Sequence, residues 1–250
     1  RFLLGIGEGA CFPAATKGAV EWMRPDKRAL AVGLANGGSA FGAVLAPPLT
    51  AWWTLVFGWR GAFVATALFG LAWLLAWRLA FRGVAGAVAP PVRTSAVSFR
   101  ALLGRTEVRH LMIARFCFDP VFYFYMFWIP QYLSRERGMS LAEIGNLTWI
   151  PFFALGITNI AAGRFSDGLV HCGWEPRRAR MALMLAAALL TPSSWLAVIA
   201  TKAGAAIALM SVLMLAHGIW IANFITLIGD TVAREEVGTA VGLTGTCGGI

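Results

Sequence analysis

The sequence predicts an all-α integral membrane protein, and three observations predict it. The 250-residue chain is 58% hydrophobic and 13% charged, with a mean hydropathy of +0.70; an average soluble domain carries about 25% charged residues. Its apolar residues fall into successive stretches near the ~20 residues that a spanning helix needs. Its basic residues alternate by loop side, as short loops of membrane proteins do. The 11 tryptophans suit membrane–water interfaces.

The apolar stretches run over 2–22, 29–53, 60–82, 108–133, 141–168, 177–200, 204–229 and 237–250, which makes seven spans and one cut short. A tight turn at Phe57-Gly-Trp-Arg60 separates the second from the third. Pro130 and Pro151 lie inside later apolar runs, where neighbouring helices can re-satisfy the backbone. The segment 83–107, with Pro90-Pro91 and Ser95, has no long apolar run and reads as a linker. It separates a first helical bundle, 1–82, from a second, 108–250. The chain begins at Arg1 without a methionine and ends within an apolar stretch, so both ends are expected to be truncated.

Loop charges set the orientation. One side carries 15 of the 21 lysines and arginines, among them Arg28, Arg105, Arg164 and Arg180; the other carries 4, namely Arg60, Arg135, Arg137 and Lys202. The linker lies on the basic side and is therefore cytoplasmic. The net charge of +9 follows this alternation and not one soluble face, which argues against a nucleic-acid partner. None of the four cysteines has C-x-x-C spacing, so neither a disulfide frame nor a metal site is expected.

A weak internal repeat supports two related halves. Shifting the chain by 209 residues lays Glu21–Leu34 on Asp230–Leu243, matching Ala31-Val-Gly-Leu34 to Ala240-Val-Gly-Leu243 and placing acid on acid at Glu21/Asp230 and Asp26/Glu235. Parallel repeats of this kind occur in transporters.

Charges inside the spans are the candidates for function, because an ionisable group in a bilayer is costly. Arg1 and Glu8, seven residues apart, share one helical face two turns long. Arg115 and Asp119 stand at i and i+4, where they can pair. Asn36 and Ser39 lie one turn apart, among glycines 33, 37, 38 and 42, whose two G-x-x-x-G spacings read as close helix packing. Tyr123 and Tyr125 are separated by about 200° around a helix, so only one can face a cavity; Tyr123, one turn beyond Asp119, is the choice. Asn223 precedes Thr226 on one face. His110, His171 and His217 are scattered without ligand spacing, which argues against an enzyme.

These residues carry a resemblance. The run Arg1-Phe-Leu-Leu-Gly-Ile-Gly-Glu8-Gly-Ala-Cys-Phe-Pro13, then Glu21-Trp22, Gly33-Leu-Ala-Asn36-Gly-Gly-Ser39 and Ala46-Pro-Pro48, resembles the anion:cation symporter family of the major facilitator superfamily, particularly its hexuronate transporters. Arg115-Phe-Cys-Phe-Asp119-Pro, Phe127-Trp-Ile-Pro130, Trp149-Ile-Pro-Phe152 and Asn223-Phe-Ile-Thr226 extend the resemblance into the second half. It implies the major facilitator fold, two helical bundles joined by a cytoplasmic linker, with helices 4–6 in 1–82 and helices 7–10 and the start of 11 in 108–250. Helices 1–3 and 12 would lie outside this chain, which is not expected to transport alone.

The resemblance further implies proton-coupled uptake of a sugar acid such as a hexuronate across the bacterial inner membrane, driven by the proton gradient without a cofactor, by a monomer. Alternatives are a non-transporting nutrient sensor on the same fold, or a symporter for an aldonate, glucarate or aromatic acid. A sugar acid needs a cation, amides or hydroxyls, and an aromatic face. Arg1, Asn36, Ser39, Tyr123 and Asn223 are the expected substrate contacts. Glu8 is the expected proton-coupling acid, since desolvation and a nearby cation move a carboxyl in opposite directions. Each has a structural alternative: Arg1 and Glu8 pairing to lock helices, and Asn36 or Asn223 bonding a neighbouring helix. Arg115 and Asp119 form either a gate or a neutralised pair. Asp167, in Gly163-Arg-Phe-Ser-Asp167-Gly168 before Arg177-Arg-Ala-Arg180, resembles the superfamily's cytoplasmic charge relay, although Trp174-Glu-Pro176 lengthens the spacing and leaves its partner arginine open.

Overall fold

The computed structural model describes residues 7, 9–82, 99–140, 143–144 and 147–249. Among them the chain is helical: α1 (Cys11–Trp22), a 3-10 turn (Pro25–Lys27), α2 (Arg28–Phe81), α3 (Phe99–Gly104), α4 (Thr106–Arg135), α5 (Trp149–His171), α6 (Pro176–Leu190), α7 (Ser193–Ile199), α8 (Ala203–Thr231) and α9 (Val237–Gly248). Among the described residues, five segments are long and apolar enough to cross a membrane: Arg28–Ala46, Val56–Ala80, Thr106–Arg135, Pro176–Ala197 and Ala203–Thr231.

The structure moves several expected boundaries. The turn at 57–60 contracts to one residue, Gly58, whose φ of 69° is a conformation that glycine adopts without strain. The linker carries a helix of its own, α3, and α4 begins at Thr106. Helix α5 begins at Trp149, so Pro151 sits in its first turn, where a missing N–H breaks no helical bond. Ahead of it, Ser140 and Glu143 cap each other: the Ser140 amide donates to Glu143 Oε2 at 2.9 Å and the Glu143 amide to Ser140 Oγ at 3.3 Å. The sixth stretch breaks at Thr191-Pro192 into α6 and α7.

The repeat survives in the backbone. Helix α1 ends at Trp22 and α2 starts at Arg28; 209 residues later, α8 ends at Thr231 and α9 starts at Val237.

Two compact units are present, Arg1–Val44 with Val97–Ile250, and Leu45–Ala96. In the larger unit α8 packs on α5 and α6, and α9 on α4 and α1. One part of its core gathers Val20, Val108, Leu111, Trp220, Phe224, Ile228 and Val241; another gathers Tyr125, Ile129, Leu133, Met210 and Leu213. The α2–α5 crossing is tight. A Cβ at Gly33 would strike the Asn159 carbonyl and one at Gly163 the Ala29 carbonyl, while Gly37 faces Ile160 and Gly156. Of the two G-x-x-x-G spacings, Gly33/Gly37 therefore makes the contact; Gly38 and Gly42 have nothing within 4 Å.

In the smaller unit the apolar side chains point outward, Phe63, Phe69, Trp73 and Leu75 each being more than 60% exposed. Trp53 and Phe69 meet edge to face at 5.5 Å, and the Arg60 guanidinium lies 4.5 Å from the Trp59 ring centre. Such a surface suits lipid, with Trp59 and Arg60 as an interfacial anchor.

Candidate functional site

Helix α4 presents Arg115, Phe118, Asp119 and Phe122 at spacings of three and four, which put them on one face. Arg115 Nε donates to Asp119 Oδ2 at 2.7 Å, and the pair is largely buried. Helix α9 approaches closely because it offers glycine there: a Cβ at Gly248 would collide with the Asp119 carboxylate, and Gly245 leaves 3.6 Å to the Arg115 guanidinium. Thr244 Oγ1 accepts from Arg115 at 3.5 Å.

The facing stripe of α8 interleaves with α4 as a stack of rings. Phe122 lies 3.9 Å from His217, Phe118 lies 4.2 Å from Trp220, and Trp220 lies 4.4 Å from Phe224, each pair within about 11° of parallel. The Arg115 guanidinium closes the series 5.8 Å from the Phe224 ring centre.

Beside this stack lies a cavity of about 750 Å³. Its walls include Phe12 of α1, Asn36 and Ser39 of α2, Arg115, Asp119, Phe122 and Tyr123 of α4, Asn159 of α5, His217 of α8 and Thr246 of α9. The volume falls within the range of small-molecule sites. Cation, acid, amides, hydroxyls and aromatic rings thus meet in one hollow.

A second cluster sits at the other end of α5 and α8. Arg180, fully buried, reaches Asp167 at 2.9 Å and Asp230 at 3.5 Å and donates to Ser166 Oγ at 2.6 Å. Asp230 also pairs with Arg28 at 3.1 Å. Asp167 Oδ2 accepts the Leu30 amide at 2.9 Å, which places its charge against the positive end of α2. The cluster ties α2, ahead of the linker, to α5, α6 and α8 behind it. The partner of Asp167 is Arg180, because Pro176 opens α6 at its first turn and sets Arg180 one turn inward, leaving Arg177 and Arg178 exposed. On the loop nearby, the Arg24 guanidinium bonded to Asp26 holds that carboxyl down at about 2, and His171 lies 3.0 Å from it.

Asn36, Ser39, Tyr123, Arg115 and Asp119 are therefore brought together at the cavity, and Asp167 stands apart in the charge cluster. Tyr125 turns away and donates to the Ser194 carbonyl at 3.1 Å. The Asn36 amide donates to the Val32 carbonyl of its own helix at 2.9 Å. Asn223 lies deeper. It is fully buried, does not line the cavity, and its Nδ2 donates to the Ile219 carbonyl one turn back. Arg1 and Glu8 lie outside the described residues. His217 also lines the cavity; its alignment with Glu8 under the 209-residue shift is the sequence signal that points to it.

The Major Facilitator Superfamily family model matches residues 1–250. The chain belongs to the Major Facilitator Superfamily. It is a multi-pass inner-membrane protein of that superfamily, and its helical spans carry the corresponding fold. Among curated relatives, the hexuronate transporter of Escherichia coli (strain K12) is 27% identical, over 98% of this chain and 61% of the relative. The probable galactarate/D-glucarate transporter of Bacillus subtilis (strain 168) is 25% identical, over 100% of this chain and 60% of the relative. The galacturonate transporter of Dickeya chrysanthemi is 28% identical, over 65% of this chain and 52% of the relative. The chain thus spans about three-fifths of the length of these hexuronate and galactarate/D-glucarate relatives.

Proposed function

We propose that this chain is part of a secondary active transporter that takes up a sugar acid, a hexuronate or an aldarate, together with protons by alternating access. One observation carries the reading: helices from both sides of the linker flank a polar hollow, and the same helices are clasped at one end by the Arg28–Asp230–Arg180–Asp167 cluster. A hollow between two halves with a breakable latch beneath it is the layout that alternating access requires. By loop charge the latch lies on the cytoplasmic side, so its closure favours the outward-facing state.

Within the hollow, an incoming carboxylate competes with Asp119 for the Arg115 guanidinium, which keeps its charge when desolvated. Asn36, Ser39 and Tyr123 supply hydrogen bonds and a ring face to the remainder of the molecule. Glu8 is the acid that loads and releases the proton, with Arg1 as the neighbouring cation. Asn223 is left as a structural amide. The similarity to hexuronate, galacturonate and probable galactarate/D-glucarate transporters supports the substrate class.

The test is uptake of labelled D-glucuronate by the full-length protein in proteoliposomes, with and without an imposed proton gradient. Gradient-driven accumulation is expected. Glu8→Gln is expected to abolish accumulation while counterflow exchange persists; accumulation that survives Glu8→Gln removes Glu8 as the coupling acid. Absence of saturable uptake of glucuronate, galacturonate and glucarate alike would favour a sensor.

A further inference from the structure

We propose that Arg78 and Arg82, at the end of the exposed span in the smaller unit, bind the phosphate of an anionic phospholipid whose acyl chain lies along the leucines of the same helical face. The proposal rests on the membrane setting of Val56–Ala80 and not on the transport reading, and its test involves no sugar acid.

The sequence sets up the charge. From Lys27 to Thr106, 80 residues hold eight lysines and arginines and no aspartate or glutamate. Arg78 stands in the last turn of α2, Arg82 directly follows the helix, and both are exposed. Two like charges four residues apart on one face repel and weaken the helix that carries them. A phosphate seated between them turns that repulsion into two charge-assisted hydrogen bonds, to which the guanidinium fork is suited.

The helix supplies the rest of the site. Leu71, Leu75, Arg78 and Arg82 follow one another at spacings of four, three and four, which put them on one face. Trp73 and Trp77 flank that face, their ring centres 6.1 Å apart. Leu71, Trp73, Leu75 and Trp77 are 47–68% exposed, so the stripe is open to lipid within its unit. Leucine, then tryptophan, then arginine repeats the order of acyl chain, interface and headgroup. The depth agrees. Arg60 to Arg78 is 18 residues, about 27 Å at 1.5 Å per residue and close to the ~30 Å of a hydrocarbon core. With Trp59 and Arg60 at one interface, Arg78 and Arg82 emerge among the headgroups of the other, which loop charge makes the cytoplasmic leaflet. A zwitterionic headgroup brings a cation that the two arginines repel, whereas phosphatidylglycerol brings its phosphate alone.

The experiment titrates dioleoylphosphatidylglycerol into the full-length protein in detergent and follows the melting temperature, with dioleoylphosphatidylcholine and glycerol 3-phosphate in parallel. Phosphatidylglycerol is expected to raise the melting temperature at concentrations where the other two do not. The double variant Arg78→Gln, Arg82→Gln is expected to melt like the parent without lipid and to need about thirtyfold more phosphatidylglycerol for the same rise, about fivefold for each arginine. Arg78→Lys with Arg82→Lys keeps the charge and is expected to stay within about threefold of the parent. Arg135→Gln with Lys202→Gln removes two exposed charges from the opposite side and is expected to leave the titration unchanged.

The site is wrong if the Arg78→Gln, Arg82→Gln variant responds to phosphatidylglycerol as the parent does, or if phosphatidylcholine or glycerol 3-phosphate serves as well. Equal loss of the response in the Arg135→Gln, Lys202→Gln variant would reduce it to general charge attraction and overturn it. Melting of the Arg78→Gln, Arg82→Gln variant that is lowered as much without lipid as with it would show that the arginines bond another part of the protein, and overturns it too.

Discussion

Two apolar helical segments of this protein, Ala203–Thr231 and Val56–Ala80, look alike as membrane spans and are used in opposite ways. Over its most apolar 18 residues, α8 is 56% buried within the protein, against 6% for the corresponding stretch of Val56–Ala80. The difference lies in the minority residues. Helix α8 interrupts its apolar run with His217, Gly218, Asn223, Thr226 and Gly229, which are small enough to admit neighbours or polar enough to face a hollow. Val56–Ala80 carries Phe63, Phe69, Trp73 and Trp77, large rings that stay exposed and suit lipid. Hydropathy marks a span; its small and polar residues mark which spans form the interior.

The largest expected effect is on the charge cluster that α8 shares with α2, α5 and α6. Arg180→Ala leaves Asp167 and Asp230 buried without their common cation and is expected to cost about 3–5 kcal/mol, read as a large fall in the melting temperature in detergent. Arg178→Ala, two residues away and exposed, is expected to change stability by less than about 0.5 kcal/mol. Equal melting of the two variants would remove the cluster as a stabilising device.

Next is the α2–α5 crossing. Gly33→Leu drives a side chain into the Asn159 carbonyl and is expected to destabilise by about 1–3 kcal/mol, while Gly38→Leu, with nothing within 4 Å, is expected to be near neutral. The direct comparison of the two helices is smaller still. Phe224→Leu, in the buried stack, is expected to cost about 1 kcal/mol through lost ring contacts; Phe69→Leu, 63% exposed, is expected to fall within about 0.5 kcal/mol. If Phe69→Leu destabilises more, Val56–Ala80 is not simply a lipid-facing surface.

The smallest effect is one of pH. Bonded to Arg24, the Asp26 carboxyl is held below its ordinary 3.8, at about 2, so whatever it contributes to folding is complete above about pH 4 and fades as pH falls toward 2. The melting difference between the parent and Asp26→Asn is therefore expected to stay level from about pH 8 to 5 and to narrow only in acid. A difference that narrows near neutral pH would show that the Arg24–Asp26 bond is not its source.

Local pattern carried much of this fold. The 209-residue repeat foretold helix ends that coincide under the same shift, because a loop between two spans is specified by a short run of charge and proline. Arg115 and Asp119 were readable as a pair because i and i+4 meet on any helix. Tyr123 and Tyr125 were separable by the same geometry. Long-range facts were not legible. Arg28 and Arg180 read as cytoplasmic loop charges, yet they are sunk into ion pairs with acids from other helices. Asn36 and Asn223 both bond the carbonyl one turn back on their own helices, yet only Asn36 lines the hollow. His217, without ligand spacing in the sequence, lines it too.

The sequence by itself determined that the chain is helical, that its spans suit a membrane and which few polar groups interrupt them, because hydropathy and helical period act over a few residues at a time. Only the tertiary structure decided which arginine holds Asp167, which G-x-x-x-G makes a contact, and which amides open onto the cavity. Those answers depend on the rotation of each helix against neighbours distant in sequence, and a helix alone presents every one of its faces equally.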